Sequence, residues 1–171
     1  MMSHSANKVK WCLEKTKKEL KEGTLHRGLL KIQPDQKTAM EYLAKAEHNL
    51  EATFYFYKGG FSDWCSSSLF YTIYHCFLAV LIKFGYESRN QECTFALIQS
   101  LIEEGKINFD MNDFKEINSL DRKNEENTLV DLRERYQYSP KTALGNTEYE
   151  RLLNLSKRIL SQTKEIMEQN T

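Results

Sequence analysis

The strongest hydrophobic signal in the chain is a nearly uninterrupted apolar run, 64–84, in which aromatic, aliphatic and small residues occupy every helical face. A helix that is apolar all round must be buried on all sides. We therefore predict the central, fully enclosed helix of a bundle. A membrane span is the alternative by length, but Tyr71, Tyr74, His75 and several serines make the first half of the run too polar for it.

Amphipathic helical patterns lie on both sides of this run. Apolar residues recur there at three- and four-residue spacing, and Gly, Pro or Asn punctuates the segments. We find no strand pattern, internal repeat or low-complexity tract. The pattern predicts an all-α, antiparallel bundle of five to seven helices. The flanking helices are expected at about 8–21, 35–58, 92–104, 129–138 and 146–169. One more helix is expected to start at Asn112 or Asp113 and to reach residue 120. The chain after it either continues this helix or breaks near Asn124.

Composition narrows the class of protein further. The 171 residues fit one domain, and 24 basic residues balance 24 acidic ones, so that the net charge is zero. No global basic field is available to gather nucleic acid, which would need a local patch. The mean hydropathy is −0.62, and the first residues lack the apolar core of a secretory signal. We expect a cytoplasmic protein without a membrane segment.

Four cysteines, at positions 12, 65, 76 and 93, show no metal-type or redox-type spacing. Because a cytosolic location disfavours disulfides, we expect none. Cys65 and Cys76 fall on one helical face and are interpreted as small core residues. His48 beside Glu47 or Glu51 lacks the further ligands that zinc requires, so no metal site is predicted.

The densest basic run lies in the first helix, which carries six lysines between positions 8 and 21. Such a run can steer nucleic acid electrostatically. Glu14, Glu19 and Glu22 dilute it, however, so a solvated helix face is the favoured interpretation. The two interpretations remain open at this level.

Several motifs in fixed order resemble the HEPN superfamily, in particular its short stand-alone archaeal and bacterial members. They are AKAEHNL, a Gly-Gly followed by Asp-Trp, SSLFYTIYHCFLAVL, and a late helix ending in LRERYQY. The segment KFGYESRNQECT resembles the same branch, where a His commonly stands at the position of Gln91. The resemblance spans about 34–138 of a single domain. Residues 1–33 look like an N-terminal helical extension, and 146–169 like an added C-terminal helix.

The resemblance implies a function as well as a fold. HEPN domains are helical, usually form homodimers, and are commonly encoded beside a minimal nucleotidyltransferase as a toxin–antitoxin pair. Many are metal-independent ribonucleases that carry an Arg, four to six intervening residues and then a His near the end of the late helix. Cleavage of RNA without a metal needs an acid or base that titrates near neutral pH, which His supplies. It also needs a cation that holds the phosphate, which Arg supplies.

This chain departs from that nuclease motif. All four histidines precede position 76, so the late helix has none. After Arg133, the expected His positions hold Tyr138, Ser139 and Pro140. We therefore expect RNA cleavage to be lost or degenerate, while nucleotide or RNA binding remains possible.

Five residues are the candidates for the binding site: Arg133, Arg135, Tyr138, Tyr74 and His75. Arg133 and Tyr138 are also the candidates for catalysis. The arginines could hold phosphate, although a solvated helix edge explains them too. Tyr138 best matches a tyrosine that the nucleotidyltransferase modifies in some pairs of the superfamily, and Tyr136 beside it shares the alternative role of capping the bundle.

The sequence thus predicts the HEPN component of a nucleotidyltransferase-linked toxin–antitoxin type system. It is expected to form a homodimer and to bind nucleotide or RNA in a groove at the late helix, without a cofactor. Two alternatives stay open. One is an active metal-independent ribonuclease toxin that uses Arg133, Arg135 and Tyr138, and the other is a non-catalytic dimer scaffold.

Overall fold

The computed structural model describes residues 1–118 and 128–169, and that part of the chain forms a helical bundle with a very small sheet. Seven helices and two short strands occur in these ranges, so the all-α prediction is confirmed. The elements are α1 (His4–Lys21), β1 (Leu29–Lys31), α2 (Gln36–Lys58), α3 (Asp63–Lys83), β2 (Tyr86–Ser88), α4 (Gln91–Glu103), α5 (Met111–Ile117), α6 (Leu129–Tyr138) and α7 (Asn146–Glu168).

Helix α3 is the centre of the bundle, and α2, α4, α6 and α7 all pack against it. Its buried face includes Phe70 and Phe77, which are almost inaccessible to solvent. However, Trp64 is 58% exposed and Tyr71 is 42% exposed. Residues seven apart lie on one side of a helix, so these two rings define an uncovered strip. The prediction of a fully enclosed helix is wrong along this strip.

Helix α3 is also the one described helix that is long and apolar enough to cross a membrane by length and composition. Within its most apolar window, 72% of the residues are buried inside the bundle. Burial by neighbouring helices is the usual reason for such composition in a core helix. The structure therefore offers no support for a membrane span.

The other helix boundaries agree closely with the sequence pattern, except at the starts of two helices. Helix α1 begins at His4 with Ser3 as its N-cap, earlier than the predicted start at residue 8. The N-cap of α5 is Asp110 and not Asn112 or Asp113. Its Oδ1 accepts a hydrogen bond from the Asn112 backbone N–H at 2.6 Å. The predicted end of this helix at residue 120 and the possible break near Asn124 lie outside the described residues.

Strands β1 and β2 form an antiparallel pair that the sequence pattern did not predict. The register places Leu30 opposite Glu87. Each strand has three residues, which is too short for an alternating pattern to be recognised. The chain turns into β2 at Gly85, whose φ of +82° favours glycine. This pair ties the segment before α2 to the segment after α3.

A disulfide between Cys12 and Cys93 joins α1 to α4 across 81 residues of sequence. The expectation of no disulfide is therefore wrong. The helices bring the two sulfurs together, which the spacing along the chain could not indicate. The other two cysteines are free and buried, as predicted. Burial raises the pKa of Cys65 to about 11 and that of Cys76 to about 12, so both thiols stay protonated at neutral pH.

The end of α7 is held by a buried lysine at the end of α3. Lys83 is 6% exposed, and its Nζ donates to the carbonyl oxygens of Met167 at 3.2 Å and Gln169 at 2.6 Å. The last carbonyls of a helix have no partner within the helix, and a cation complements the negative end of the helix dipole. Lys83 supplies both contributions.

Replacing this lysine by methionine keeps most of its volume and removes the hydrogen bonds. We expect Lys83→Met to lower the free energy of unfolding by about 1–3 kcal/mol, because buried carbonyls lose a charged donor. Urea unfolding followed by circular dichroism measures the change. Lys164→Met is the control, since Lys164 forms a surface ion pair with Glu47 and should cost less than about 1 kcal/mol. Equal effects of the two substitutions would contradict the capping role.

Candidate functional site

A groove of about 390 Å³ lies between the first turns of α3, the end of α6 and the segment that follows α6. We call it the α3–α6 groove. Three aromatic rings line it, from Trp64, Tyr71 and Tyr136. The two α3 rings are the exposed strip described above. The other lining residues are Asp63, Ser67, Gln137, Ser139, Pro140, Lys141 and Thr142.

The end of α6 is placed at this groove by local hydrogen bonds. Helix α6 starts with a capping box, in which Thr128 and Asp131 bond to each other's backbone N–H groups. Helix α6 ends at Tyr138, two residues before Pro140, because proline disfavours helical backbone at the residue that precedes it. Farther on, the backbone N–H of Leu144 donates to Ser62 Oγ at 2.9 Å. That bond fastens the segment after α6 to the start of α3.

The chemistry of the α3–α6 groove suits binding better than catalysis. Its lining includes one carboxylate, on Asp63, one ammonium group, on Lys141, and the hydroxyls of Ser67, Ser139 and Thr142. None of the lining residues is a histidine or a cysteine. The described lining thus offers faces for stacking and groups for hydrogen bonding, with the Asp63 carboxylate and no imidazole for proton transfer.

The two candidate arginines of α6 differ in their surroundings. The Arg133 guanidinium lies over the Phe70 ring, 4.4 Å from its centroid, and the side chain is 14% exposed. Its Nε is buried without a hydrogen-bond partner among the described residues. Arg135 is exposed. Arg133 therefore packs mainly as a cation on an aromatic face, and neither arginine lines the groove.

Tyr136 and Tyr138 point in different directions from the same helix turn. Two residues apart on a helix means about 200° of rotation. Tyr136 is half-buried and lines the groove, whereas Tyr138 is 81% exposed. The sequence prediction had placed Tyr138 in the groove, and the structure places Tyr136 there. Tyr138 remains a fully accessible phenol at the end of α6.

Tyr74 lies in the core side of α3. Its ring stacks on Phe70 at 5.7 Å between centroids, and its hydroxyl is 3.4 Å from Thr94 Oγ1. Burial raises the pKa of this phenol. Tyr74 and Arg133 thus meet on the same Phe70 ring, which connects them indirectly and away from solvent.

His75 is half-buried on the side of α3 that faces α2. Its Nδ1 is 2.7 Å from the Tyr71 carbonyl oxygen and 3.1 Å from Asn49 Nδ2. A proton on Nδ1 donates to that carbonyl and leaves Nε2 as the acceptor. Burial lowers the pKa of His75, while the bond to the Tyr71 carbonyl opposes that effect. The imidazole is therefore mainly neutral at neutral pH, close to Tyr71 but outside the groove lining.

Five candidates from the sequence thus fall into three places. Arg133 and Tyr74 share the Phe70 ring, His75 lies behind Tyr71, and Arg135 and Tyr138 are on the exposed surface of α6. The sequence analysis missed the three groove rings as a set. The seven-residue spacing of Trp64 and Tyr71 could have indicated a shared face, but the apolar composition around them hid it.

Among the described residues, no group of three or more His, Cys, Asp or Glu side chains could hold a metal ion.

The fold and the site define a helical bundle whose late helix ends at an aromatic groove beside the central helix. The family model for the HEPN domain matches residues 39–166 of this bundle. The chain belongs to the HEPN domain family. No curated protein matches the chain. The matched span runs from α2 into α7, so α1 and β1 precede it.

Proposed function

We propose that this HEPN-domain protein binds single-stranded RNA or a nucleotide in the α3–α6 groove without cleaving RNA efficiently. The observation that carries the proposal is the set of three rings, Trp64, Tyr71 and Tyr136, around a groove at the end of the late helix. Bases have two apolar faces, and stacking on aromatic side chains contributes about 1–3 kcal/mol per base. A groove built from rings without a histidine matches binding better than hydrolysis.

The polar lining fits the rest of a nucleotide. Lys141 can contact a phosphate as a point charge, and the hydroxyls of Ser67, Ser139 and Thr142 can bond to phosphate or ribose oxygens. Asp63 weakens the attraction for anions and can accept a hydrogen bond from an exocyclic amine. Because Lys141 supplies the single ammonium group among the described lining residues, stacking must contribute most of the affinity.

Trp64→Ala is expected to weaken RNA binding about tenfold, because it removes the largest stacking surface in the groove. Fluorescence anisotropy of a labelled single-stranded oligonucleotide measures the change. Trp11→Ala is the matched control, since Trp11 is the other tryptophan, is also half exposed, and lies on α1 away from the groove. Equal losses for the two substitutions would place binding elsewhere.

A second measurement locates the ligand directly. In a Trp11→Phe background, Trp64 is the single tryptophan of the chain, and a stacked base quenches indole fluorescence. Titration with AMP and with the oligonucleotide should quench Trp64 in a saturable manner. Absence of both quenching and anisotropy change at millimolar AMP and about 100 μM oligonucleotide would leave the dimer scaffold as the better function.

The ribonuclease alternative is tested with the same protein. Incubation with labelled RNA should leave the RNA intact, because no histidine lines the groove. Cleavage that Arg133→Ala abolishes while the variant stays folded would favour the ribonuclease toxin over the binding module. Expression of the chain alone should then also arrest growth.

The proposal extends to partners, for which family membership is the support. We infer a homodimer and an antitoxin-type nucleotidyltransferase as its companion. Sedimentation at micromolar concentration tests the dimer, and a clean monomer would contradict it. The neighbouring gene tests the companion, since its absence would count against the toxin–antitoxin role.

Tyr138 is the acceptor that this pairing would use. Its phenol is 81% exposed, so an enzyme can reach it. The phenol oxygen would form a bond to the α-phosphorus of a nucleoside triphosphate as pyrophosphate leaves, and the phenol proton would pass to solvent. Intact mass after incubation with the companion and ATP should increase by one adenylyl group, and Tyr138→Phe should abolish the increase. Tyr136→Phe is the matched control.

A further inference from the structure

A second groove, of about 430 Å³, runs along α1 and is bounded on its other side by β1. We call it the α1–β1 groove. The α1 residues along its floor recur with spacings of four, three, four, three and four, which is the spacing of a coiled-coil seam. They are Met2, just before the helix, and Ala6, Val9, Leu13, Thr16 and Leu20.

This seam lies beside the side of α1 that packs on the bundle and shares part of it, since Thr16 is 1% exposed and Val9 and Leu13 also contact the core. The inward side carries Ser5 and Cys12, both fully buried; Ser5 bonds to Glu103 at 2.6 Å and Cys12 forms the disulfide with Cys93. Val9 and Leu13 in the seam are half-buried, and Leu20 is exposed. The open part of the groove is therefore its outer edge, where Met2 is 53% exposed and Leu20 is 48% exposed beside the half-buried Val9 and Leu13.

The groove has a fixed shape because α1 is held from two sides. The disulfide attaches α1 to α4, and Gly28 lets β1 approach the helix closely. A Cβ at Gly28 would lie 2.5 Å from the Cys12 carbonyl oxygen, so the observed packing requires glycine. Both walls precede the span that matches the family model.

The charges around the groove select the occupant. Among the described lining residues, Lys10, Lys17 and Lys31 are basic and Glu14 carries the one carboxylate. Glu14 is paired with Lys17 at 2.9 Å. Two copies of α1 packed antiparallel along this seam would bring Lys10 and Lys17 against the same basic flank, which is unfavourable. An occupant with acidic flanks is favoured instead.

We propose that the α1–β1 groove binds an amphipathic helix of a partner protein, with apolar residues at coiled-coil spacing and acidic residues beside them. The helix-in-groove mode uses anchors three and four residues apart, which the seam on α1 matches. This inference is independent of the nucleotide proposal, because the α3–α6 groove shares no lining residue with it.

The experiment uses the full oxidised chain and two synthetic helical peptides of about three heptads. Both peptides have leucine at the seam positions; one has glutamate at the flanking positions and the other has lysine there. Each is labelled and used below its own self-association concentration. By anisotropy, the glutamate peptide should bind at least tenfold more tightly than the lysine peptide at low salt, with the difference shrinking as salt rises.

Charge reversal tests whether the groove lysines cause the preference for the glutamate peptide. The double substitution Lys10→Glu with Lys17→Glu should reverse the preference, so that the lysine peptide binds about tenfold more tightly. Lys18→Glu with Lys37→Glu is the control of equal net charge, because neither residue lines the groove. Leu13→Ser should weaken binding of the glutamate peptide by removing an anchor from the middle of the seam.

Each other outcome overturns the proposal. Equal binding of both peptides to the wild-type chain, or no binding at about 100 μM, would show that the groove does not select an acidic helix. Binding unchanged by Leu13→Ser would place the peptide elsewhere. A chain that sediments as a dimer and becomes a monomer on Leu13→Ser would make a second copy the occupant. Circular dichroism and the urea midpoint confirm that each variant is folded.

Discussion

Replacement of Cys12 and Cys93 by alanine is expected to lower the free energy of unfolding by about 4 kcal/mol. The disulfide joins residues 81 apart, and closing a long loop removes much conformational entropy from the unfolded chain. Alanine is preferred to serine because both positions are fully buried and a hydroxyl there would add its own cost. Urea unfolding of the double variant against the oxidised chain measures the difference.

Two controls separate the crosslink from local packing. Reduction of the wild-type chain should lower the urea midpoint toward that of the double variant, whereas reductant should leave the double variant unchanged. The m-value should rise on loss of the crosslink, because the unfolded chain then exposes more surface. A reduced chain as stable as the oxidised chain would contradict the expectation.

The same bond bears on where the protein works. Disulfides persist in oxidising compartments and are uncommon in the cytosol, so the predicted cytoplasmic location and the Cys12–Cys93 bond point in different directions. Alkylation of free thiols in intact cells, followed by mass spectrometry, determines the redox state of this pair. If the pair is reduced there, the reduced chain is the relevant one, and α1 is then held only by its packing.

The central helix and the late helix could be predicted from the sequence because local rules decide them. The run 64–84 has no polar stripe to expose along a full face, and Thr128 with Asp131 forms a capping box that fixes the start of α6. Asp35 and Asn90 likewise cap α2 and α4 through their side chains. Such features depend on residues three or four apart, which a single sequence displays directly.

The features that the sequence could not predict depend on residues far apart. Cys12 meets Cys93, and β1 meets β2, only after α2 and α3 have turned back on each other. The candidate site has the same limitation. Tyr136 and Tyr138 have equal aromatic character, and packing of α6 on α3 decides which one faces the groove. The contact of Arg133 with the Phe70 ring joins two helices, so the sequence alone does not show whether this arginine faces solvent or packs on the ring.

Phe77→Ala is expected to lower the free energy of unfolding by about 3–5 kcal/mol. Phe77 is fully buried in α3. Its ring centroid lies 6.0 Å from that of Phe95, 5.6 Å from that of Phe109 and 6.1 Å from that of Phe114. Removing it leaves a cavity between α3, α4 and α5 that these rings can fill only in part.

Phe61→Ala is the matched control, because Phe61 is 58% exposed and its loss should cost less than about 1 kcal/mol. Phe77→Leu gives an intermediate variant, expected between the two, if Phe77→Ala does not fold. Similar midpoints for Phe77→Ala and Phe61→Ala would show that Phe77 is not central to the core. Phe77→Ala removes contacts from the folded state and should leave the m-value unchanged, whereas loss of the Cys12–Cys93 bond acts on the unfolded chain and should raise it.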